Sequence, residues 1–298
     1  MKALVTGASG FIGSNLVRYL EKSGWNAHCL IRPDSDLNAL AIDFPAEKLH
    51  CYDGTIDSMV IALRDSNPDI VFHLASLFVV DHRPENVDSL LLSNVLTGAH
   101  LLEAMRVTNC NRLVNIGTNW QFYHSEEYCP VNLYAATKQC FEDVLKFYTD
   151  VHGFRSLTCY LFETYGSGDQ RKKILNLMIN SIRTKGEKLE MSGGDQPLKF
   201  SHVDDVVETL EEMGNHVYGL SNPTQRRFLI DGEILRLKDL VNFLQEIDHS
   251  FAVNLGGRAY RKREVMEISA IGNKIDVWRK STPMRSLKSE VRNIIENI

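Results

Sequence analysis

The sequence predicts an α/β fold: a doubly wound parallel sheet with helices on both faces and a smaller C-terminal lobe. Three observations carry that expectation. The apolar run Ala3-Leu4-Val5 leads into three glycines, Gly7, Gly10 and Gly13, and then into the amphipathic stretch Ser14–Leu20. Strand-like runs alternate with helical ones as far as Leu161. After Phe162 the alternation gives way to short strands and crowded glycines, Gly166, Gly168, Gly186, Gly193 and Gly194. Alternating units of this length build parallel sheets, because each return to a parallel strand needs a helical crossover.

Taken in order, the first unit reads as a buried strand, a tight turn and a helix. Ala27–Ile31 is the second strand and Lys48–Cys51 a short third. Asp57–Ser66 reads as a helix that stops at Asn67-Pro68, since a residue before proline avoids helical backbone. Asp69–Leu74 is the fourth strand. From Val87 to Val107 the apolar residues Leu90, Leu91, Val95, Leu101, Leu102 and Met105 recur at helical spacing. Arg112–Ile116 is the fifth strand, Leu133–His152 a second long helix and Ser156–Leu161 the sixth strand. Helices at Lys173–Arg183 and Asp204–Met213 flank a short strand near Lys199–His202. The expected boundary divides residues 1–162 from 163–298, with some late elements returning to the main sheet.

Composition limits the partners. The chain has 298 residues, 44% of them hydrophobic, enough for one large core or two modest ones. Lys and Arg total 33 against 38 Asp and Glu, a net charge of −5, with no basic stripe to serve nucleic acid or an anionic membrane. The longest apolar stretch, Ile70–Val80, contains His73 and is too short to span a bilayer. The first strand follows Met1 so closely that no leader peptide is expected. The six cysteines, at positions 29, 51, 110, 129, 140 and 159, form no Cys-x-x-Cys pair. They read as reduced thiols of a cytoplasmic protein, without a metal site.

The glycines suit a particular ligand. Gly7 supplies a sharp turn, Gly10 lets backbone N–H groups approach a pyrophosphate, and Gly13 lets the helix pack close to the sheet. A second stretch, Asn132-Leu-Tyr134-Ala-Ala-Thr-Lys138, places Tyr134 and Lys138 on one face of a helix. An ammonium beside a phenol favours phenolate, so such a tyrosine is expected to exchange a proton near neutral pH. Thr118 follows the fifth strand, and a hydroxyl at a strand's C-terminal end faces the crevice in which α/β sheets bind ligands.

Together these stretches resemble the extended short-chain dehydrogenase/reductases, the NAD(P)-dependent nucleotide-sugar epimerase, dehydratase and reductase group. The resemblance implies a Rossmann-type fold over nearly the whole chain, with residues 1–162 binding the dinucleotide and 163–298 forming a nucleotide-sugar lobe. Thr6-Gly7-Ala8-Ser9-Gly10-Phe11-Ile12-Gly13 resembles the family's cofactor loop, and His73-Leu74-Ala75-Ser76 its motif beside the cofactor. Asn94 falls on the asparagine of the helix between the fourth and fifth strands. Tyr165-Gly166 and His202-Val-Asp-Asp205 resemble two later signatures. Thr118, Tyr134 and Lys138 fall on the catalytic triad. By that resemblance Tyr134 is the general acid, Lys138 holds the nicotinamide ribose and lowers the Tyr134 pKa, and Thr118 bonds the sugar's C4 oxygen.

Departures from the family pattern sharpen the expectation. Dehydratases carry an Asp-Glu pair after the catalytic Thr, whereas Asn119 and Trp120 stand here and cannot do acid–base work. NAD users place an acid at the end of the second strand to accept from the ribose 2′-OH. Here Arg32 follows Ile31, a cation suited to the 2′-phosphate of NADP(H). Asp53 and Gly54 stand one residue out of step with the family's adenine contact. Lys199 takes the place of a nucleotide-binding arginine, Glu163 that of an asparagine, and Arg261 is expected to grip the diphosphate through its fork. Asn119 and Asn176 are expected to join Thr118 and Arg261 around the substrate.

Within that group, the short insert between Thr118 and Tyr134 and the Arg261–Met266 segment resemble the CDP-paratose and CDP-abequose synthases. The expectation is therefore an NADPH-dependent reductase acting on the C4 ketone of a nucleotide-diphosphate deoxyhexose, working as a homodimer built on Val87–Val107 and Leu133–His152. The alternative is a 4-epimerase that retains NAD. A non-catalytic NADP-sensing regulator is a third reading, but relatives of that kind lose the Tyr or the Lys kept here.

Overall fold

The computed structural model describes residues 1–40, 44–186, 188–268 and 275–297. Eight parallel strands form the main sheet, in the order β13-β10-β6-β5-β4-β1-β2-β3. They are β1 (Lys2–Thr6), β2 (Asn26–Ile31), β3 (Leu49–Cys51), β4 (Ile70–His73), β5 (Arg112–Thr118), β6 (Arg155–Leu161), β10 (Thr224–Ile230) and β13 (Asp276–Trp278). Helices α1 (Phe11–Lys22) and α7 (Val203–Gly219) cover one face, where Leu16, Val17, Leu20, Val206, Leu210 and Met213 bury against β1 and its neighbours. Helices α2 (Ile56–Ser66), α4 (Thr97–Val107) and α5 (Leu133–His152) cover the other, around Met59, Leu101, Met105, Phe141 and Leu145.

Local chemistry sets the ends of these helices. Thr55 caps α2 by accepting from the Ser58 N–H, and Asn67, at φ 40° before Pro68, ends it. Asn132 caps α5 by accepting from the Ala135 N–H at 3.0 Å, and Gly153, at φ 71°, closes it.

The long helix expected at Val87–Val107 is interrupted. It runs as α3 (Val87–Leu91), a π-helical turn at Leu92–Leu96 and then α4. The Thr97 hydroxyl donates to the Leu92 carbonyl at 3.0 Å within that turn. One wide turn leaves the apolar spacing almost unchanged, so periodicity alone does not reveal it.

The second lobe packs α6 (Ile174–Thr184) and α8 (Leu237–Ile247) with the C-terminal α9 (Leu287–Glu296) around Met178, Phe200, Leu240 and Leu244. It carries a three-stranded sheet of β7 (Glu163–Tyr165), β9 (Pro197–His202) and β11 (Glu233–Arg236). A parallel pair, β8 (Leu189–Met191) with β12 (Val253–Leu255), lies beside it. The lobe is not a contiguous C-terminal piece. After β9 the chain returns as α7 and β10 to the main sheet, and β13 comes back again. Buried Asp205 holds that return through Lys280 at 2.7 Å and Arg285 at 2.6 Å, so this part of the His202–Asp205 signature seats the fold.

Among the described residues no helix is long and apolar enough to cross a membrane. All six cysteines are free thiols.

Candidate active site

The chain passes from β1 to β2 and β3 on one side of the sheet, then to β4, β5 and β6 on the other. A crevice opens where that order reverses, at the C-terminal ends of the strands. The glycine turn shapes its floor. Gly7 sits at φ 69°, and the Gly10 N–H donates to the Gly7 carbonyl at 3.0 Å. A Cβ on Gly7 would lie 2.7 Å from the Ala75 nitrogen, and one on Gly13 would lie 2.1 Å from the Gly7 oxygen. Gly10 caps α1 with no side chain, so the first N–H groups of α1 and its positive end face the crevice. These residues fit a nicotinamide dinucleotide, with the pyrophosphate at the α1 N-terminus.

A cavity of about 520 Å³ in the crevice is lined by Gly7, Gly10, Phe11, Ile12 and Gly13, by Leu74 and Ser76, and by Thr118, Asn119, Tyr134 and Lys138. The expected cofactor loop and the expected triad therefore line one cavity. Ser9 lies on the turn itself, and Ala75 contributes backbone. The Thr6 hydroxyl accepts from the Leu74 and Ala75 N–H groups, at 3.2 and 3.0 Å, so its own proton goes to His73 Nδ1 at 2.9 Å. Asn94 stands one step behind the crevice. From the π turn its Oδ1 accepts from the Leu77 N–H at 2.7 Å, and its Nδ2 donates to the Leu77 carbonyl and to Thr137. It pins the 76–77 loop and has its polar atoms engaged with the protein.

Tyr134 corrects one expectation. Burial pushes its pKa up to about 12, against the lowering effect of the Ser76 hydroxyl and Arg171. The phenol is thus a protonated donor at neutral pH, because losing water costs the phenolate more than the nearby dipoles and charges return. Lys138 is buried, and desolvation pulls its pKa down to about 8 while Glu142 opposes the fall. The edge of Tyr134 packs against Phe78 with ring centres 5.0 Å apart.

His73, wholly buried, has its pKa lowered to about 3 by burial and secondarily by Lys138. The unfolded chain takes up this proton near pH 6.5, so the stability from keeping His73 neutral is complete above that value and is lost as pH falls below it. We expect urea stability to fall by about 1.4 kcal/mol per pH unit between about pH 6 and 4. The His28–His50 pair, also lowered by burial, acts in the same direction. Denaturation curves that coincide at about pH 6 and pH 4.5 would mean that the imidazole is protonated without unfolding.

A second cavity, of about 330 Å³, adjoins the first and shares Phe78, Asn119, Trp120, Phe162, Glu163 and Lys173 with it. Arg261 lines it, pairs with Glu264 at 2.9 Å and lies 5.5 Å over the Trp120 ring. Lys199 also lines it, but its Nζ is spent on the Ile230 carbonyl at 2.8 Å and on Asp231 at 3.7 Å. Asn176 belongs elsewhere. It lines a third cavity and donates to the Arg171 carbonyl at 2.9 Å.

Sequence reasoning passed over the Arg171-Lys172-Lys173 run, which also lines the crevice. Arg171 is held by Asp169 at 2.8 Å and lies 4.6 Å over the Phe11 ring, and Lys173 sits between Glu163 at 3.4 Å and the Phe78 ring at 4.2 Å. The available signal was three consecutive cations between a glycine turn and a helix.

At the adenosine end, Arg32 follows β2, exposed, with its Nε 3.1 Å from Asp34. Asp53 lies past β3, where its Oδ1 accepts from the Thr55 N–H and hydroxyl, while Gly54 turns at φ 99°. Those hydrogen bonds, the Thr55 hydroxyl first, hold the Asp53 carboxyl below its usual pKa.

Residues 3–224 match the NAD dependent epimerase/dehydratase family. The chain is 27% identical over 275 residues to a CDP-abequose synthase of Yersinia pseudotuberculosis, covering 89% of this chain and 91% of that one. It is 27% identical over 298 residues to a UDP-glucose 4-epimerase of Lactobacillus helveticus, covering 93% and 83%. Its fold is similar to that of the UDP-glucose 4-epimerase of Thermus thermophilus in complex with NAD, with a TM-score of 0.77 at 20% identity over 99% and 98% of the two chains.

Proposed function

The chain belongs to the NAD dependent epimerase/dehydratase family of nucleotide-sugar enzymes, and from that premise we propose an NADPH-dependent 4-ketoreductase of a nucleotide-diphosphate 4-keto-deoxyhexose, like the CDP-abequose synthases. One observation carries this reading. Behind Thr118, where dehydration needs an acid and a base, stand Asn119 and a Trp120 whose indole packs against Phe78 at 5.7 Å and under Arg261. Thr118, Tyr134 and Lys138 remain, which suffice to accept, orient and protonate a carbonyl. The wall of Phe78, Val80, Trp120 and Phe162 offers carbon to a ring that has lost hydroxyls. A bound nicotinamide dinucleotide would supply the hydride. Tyr134 then protonates the carbonyl oxygen, Thr118 donates a hydrogen bond to it, and Lys138 holds the ribose. Incubation with CDP-4-keto-3,6-dideoxyhexose and NADPH should give loss of NADPH absorbance and a 4-hydroxy sugar, and no consumption with any 4-keto nucleotide sugar rejects the proposal.

The second reading, a 4-epimerase that retains NAD, draws support from the Arg32–Asp34 pair, which already engages the cation assigned to the 2′-phosphate. Absorbance of the purified protein separates the two: stoichiometric bound dinucleotide favours the epimerase.

A phosphate facing Arg32 would make a charge-assisted pair of roughly 1.5–3 kcal/mol, less in so exposed a site. Arg32→Ala is therefore expected to weaken NADPH about tenfold and leave NADH nearly unchanged, as read by fluorescence titration. Equal losses for both cofactors would remove Arg32 from the phosphate site.

For assembly, Leu91, Leu92 and Leu96 near the π turn and Phe147 and Val151 on α5 are exposed. The occupant proposed for this face is a second copy of the chain, as the family resemblance implies. Light scattering should give a dimer at micromolar concentration, and a monomer would rule it out.

A further inference from the structure

The helix that carries Tyr134 and Lys138 has a third ionisable side chain on the same face. Tyr134, Lys138 and Glu142 follow at intervals of four, so one stripe of α5 runs from the crevice into the core. Glu142 is 3% exposed. Its Oε1 accepts from Gln121 Nε2 at 2.8 Å, and its Oε2 accepts from the Tyr160 hydroxyl on β6. Gln121, wholly buried, turns its Oε1 to the Thr118 N–H at 3.0 Å. A path Glu142–Gln121–Thr118 therefore ties the end of β5 to α5, the two elements that carry the triad.

A sealed carboxylate is costly: burial raises the Glu142 pKa, and the hydrogen bonds from Tyr160 and Gln121, then the charges of Lys138 and Arg227, oppose the rise. The charged and titratable groups around this stripe are Lys138 on α5, Tyr160 on β6, Arg227 on β10 and His73 on β4. Glutamine or leucine would fill the space at lower cost, so the carboxylate calls for a use.

We propose that Glu142 is a positioning residue of the catalytic centre: it holds Thr118 in register with the Tyr134–Lys138 face and holds Lys138 as an ammonium. This rests on the reading of Tyr134 and Lys138 given above, although its first test needs no substrate. Burial favours neutral Lys138, and the Glu142 carboxylate opposes that. Removing the carboxylate makes Lys138 lose its proton at lower pH.

The test titrates lysine side chains by NMR in the full chain, with Lys138 assigned through Lys138→Arg. In Glu142→Gln the Lys138 midpoint is expected to fall by about one pH unit. An unchanged midpoint in the folded variant overturns the electrostatic role. If Glu142→Gln does not fold, Tyr160→Phe removes one hydrogen bond from the carboxylate and should lower the same midpoint, and no shift there counts equally against it. Gln121→Met cuts the bridge and keeps the charge. It should lower kcat about tenfold with the NADPH KM unchanged. Wild-type kcat in Gln121→Met overturns the register role. A wild-type protein that reduces no nucleotide sugar would refute the functional reading instead, and leave the NMR result to decide the role of Glu142.

Discussion

Tyr134→Phe is expected to leave dinucleotide binding intact and to lower ketone reduction by about 10²–10⁴-fold. As the carbonyl oxygen of the substrate becomes an alkoxide it needs a proton, and Tyr134 is the protonated group placed beside Thr118 and Lys138 in the crevice. Its pKa of about 12 keeps the donor loaded at neutral pH. Lys138, at about 8, is the first of the pair to change charge as pH rises, so the alkaline limb of the rate profile should follow Lys138. The substituted ring keeps its packing on Phe78, so the loss belongs to kcat. Thr118→Val should cost turnover at little cost in NADPH affinity, while Lys138→Ala should damage both. Steady-state kinetics with a 4-keto nucleotide sugar decide the matter. Turnover of Tyr134→Phe near the wild-type rate would place the proton donor elsewhere in the crevice.

Gly13→Ala should weaken dinucleotide binding about a hundredfold or more. The added Cβ would lie 2.1 Å from the Gly7 oxygen, 2.8 Å from the Gly7 carbon and 2.9 Å from the Ala8 Cα. All three are backbone atoms of the turn, so no side chain can swing aside and α1 must lift from β1. Overpacking of this kind costs roughly 1–3 kcal/mol of stability, and it moves the N–H groups meant for the pyrophosphate. Gly10→Ala is the milder comparison, since its Cβ meets the Gly7 oxygen at 3.3 Å, a contact that a shift of a few tenths of an ångström relieves. A loss of NADPH binding there would come from the ligand's side of the loop. Fluorescence titration beside a thermal melt separates the two effects, and undiminished binding by Gly13→Ala would mean that this turn does not cradle the pyrophosphate.

The glycine turn, the strand–helix alternation to Leu161 and the shared face of Tyr134 and Lys138 were legible because each is local. Gly7 marks a positive φ, and Tyr134 and Lys138 declare a shared face by spacing alone. The π turn was not legible, since one extra residue in a turn barely disturbs apolar periodicity. The lobe boundary was legible only as a change of pattern, because β10 and β13 look like any other strands until they pair with β6 and β10. Asn94 was placed by the resemblance in the helix between the fourth and fifth strands, and only the structure shows its amide engaged by Leu77 and Thr137. Asn176 shows the same limit, since its amide donates to the Arg171 carbonyl and it lines the third cavity.

What the sequence determined by itself was the covalent chemistry on offer: a glycine cradle, a phenol, an ammonium, a hydroxyl, and no acid–base pair after Thr118. Tertiary structure alone decided the state in which those groups stand. It raised the Tyr134 pKa to about 12, set the buried carboxyl of Glu142 against Gln121 and Tyr160, and engaged Lys199 with Ile230 and Asp231. The reason is that spacing along a chain fixes which side chains share a local face. The removal of water and the arrival of partners from distant strands, which set pKa values and hydrogen-bond roles, exist only once the sheet has closed.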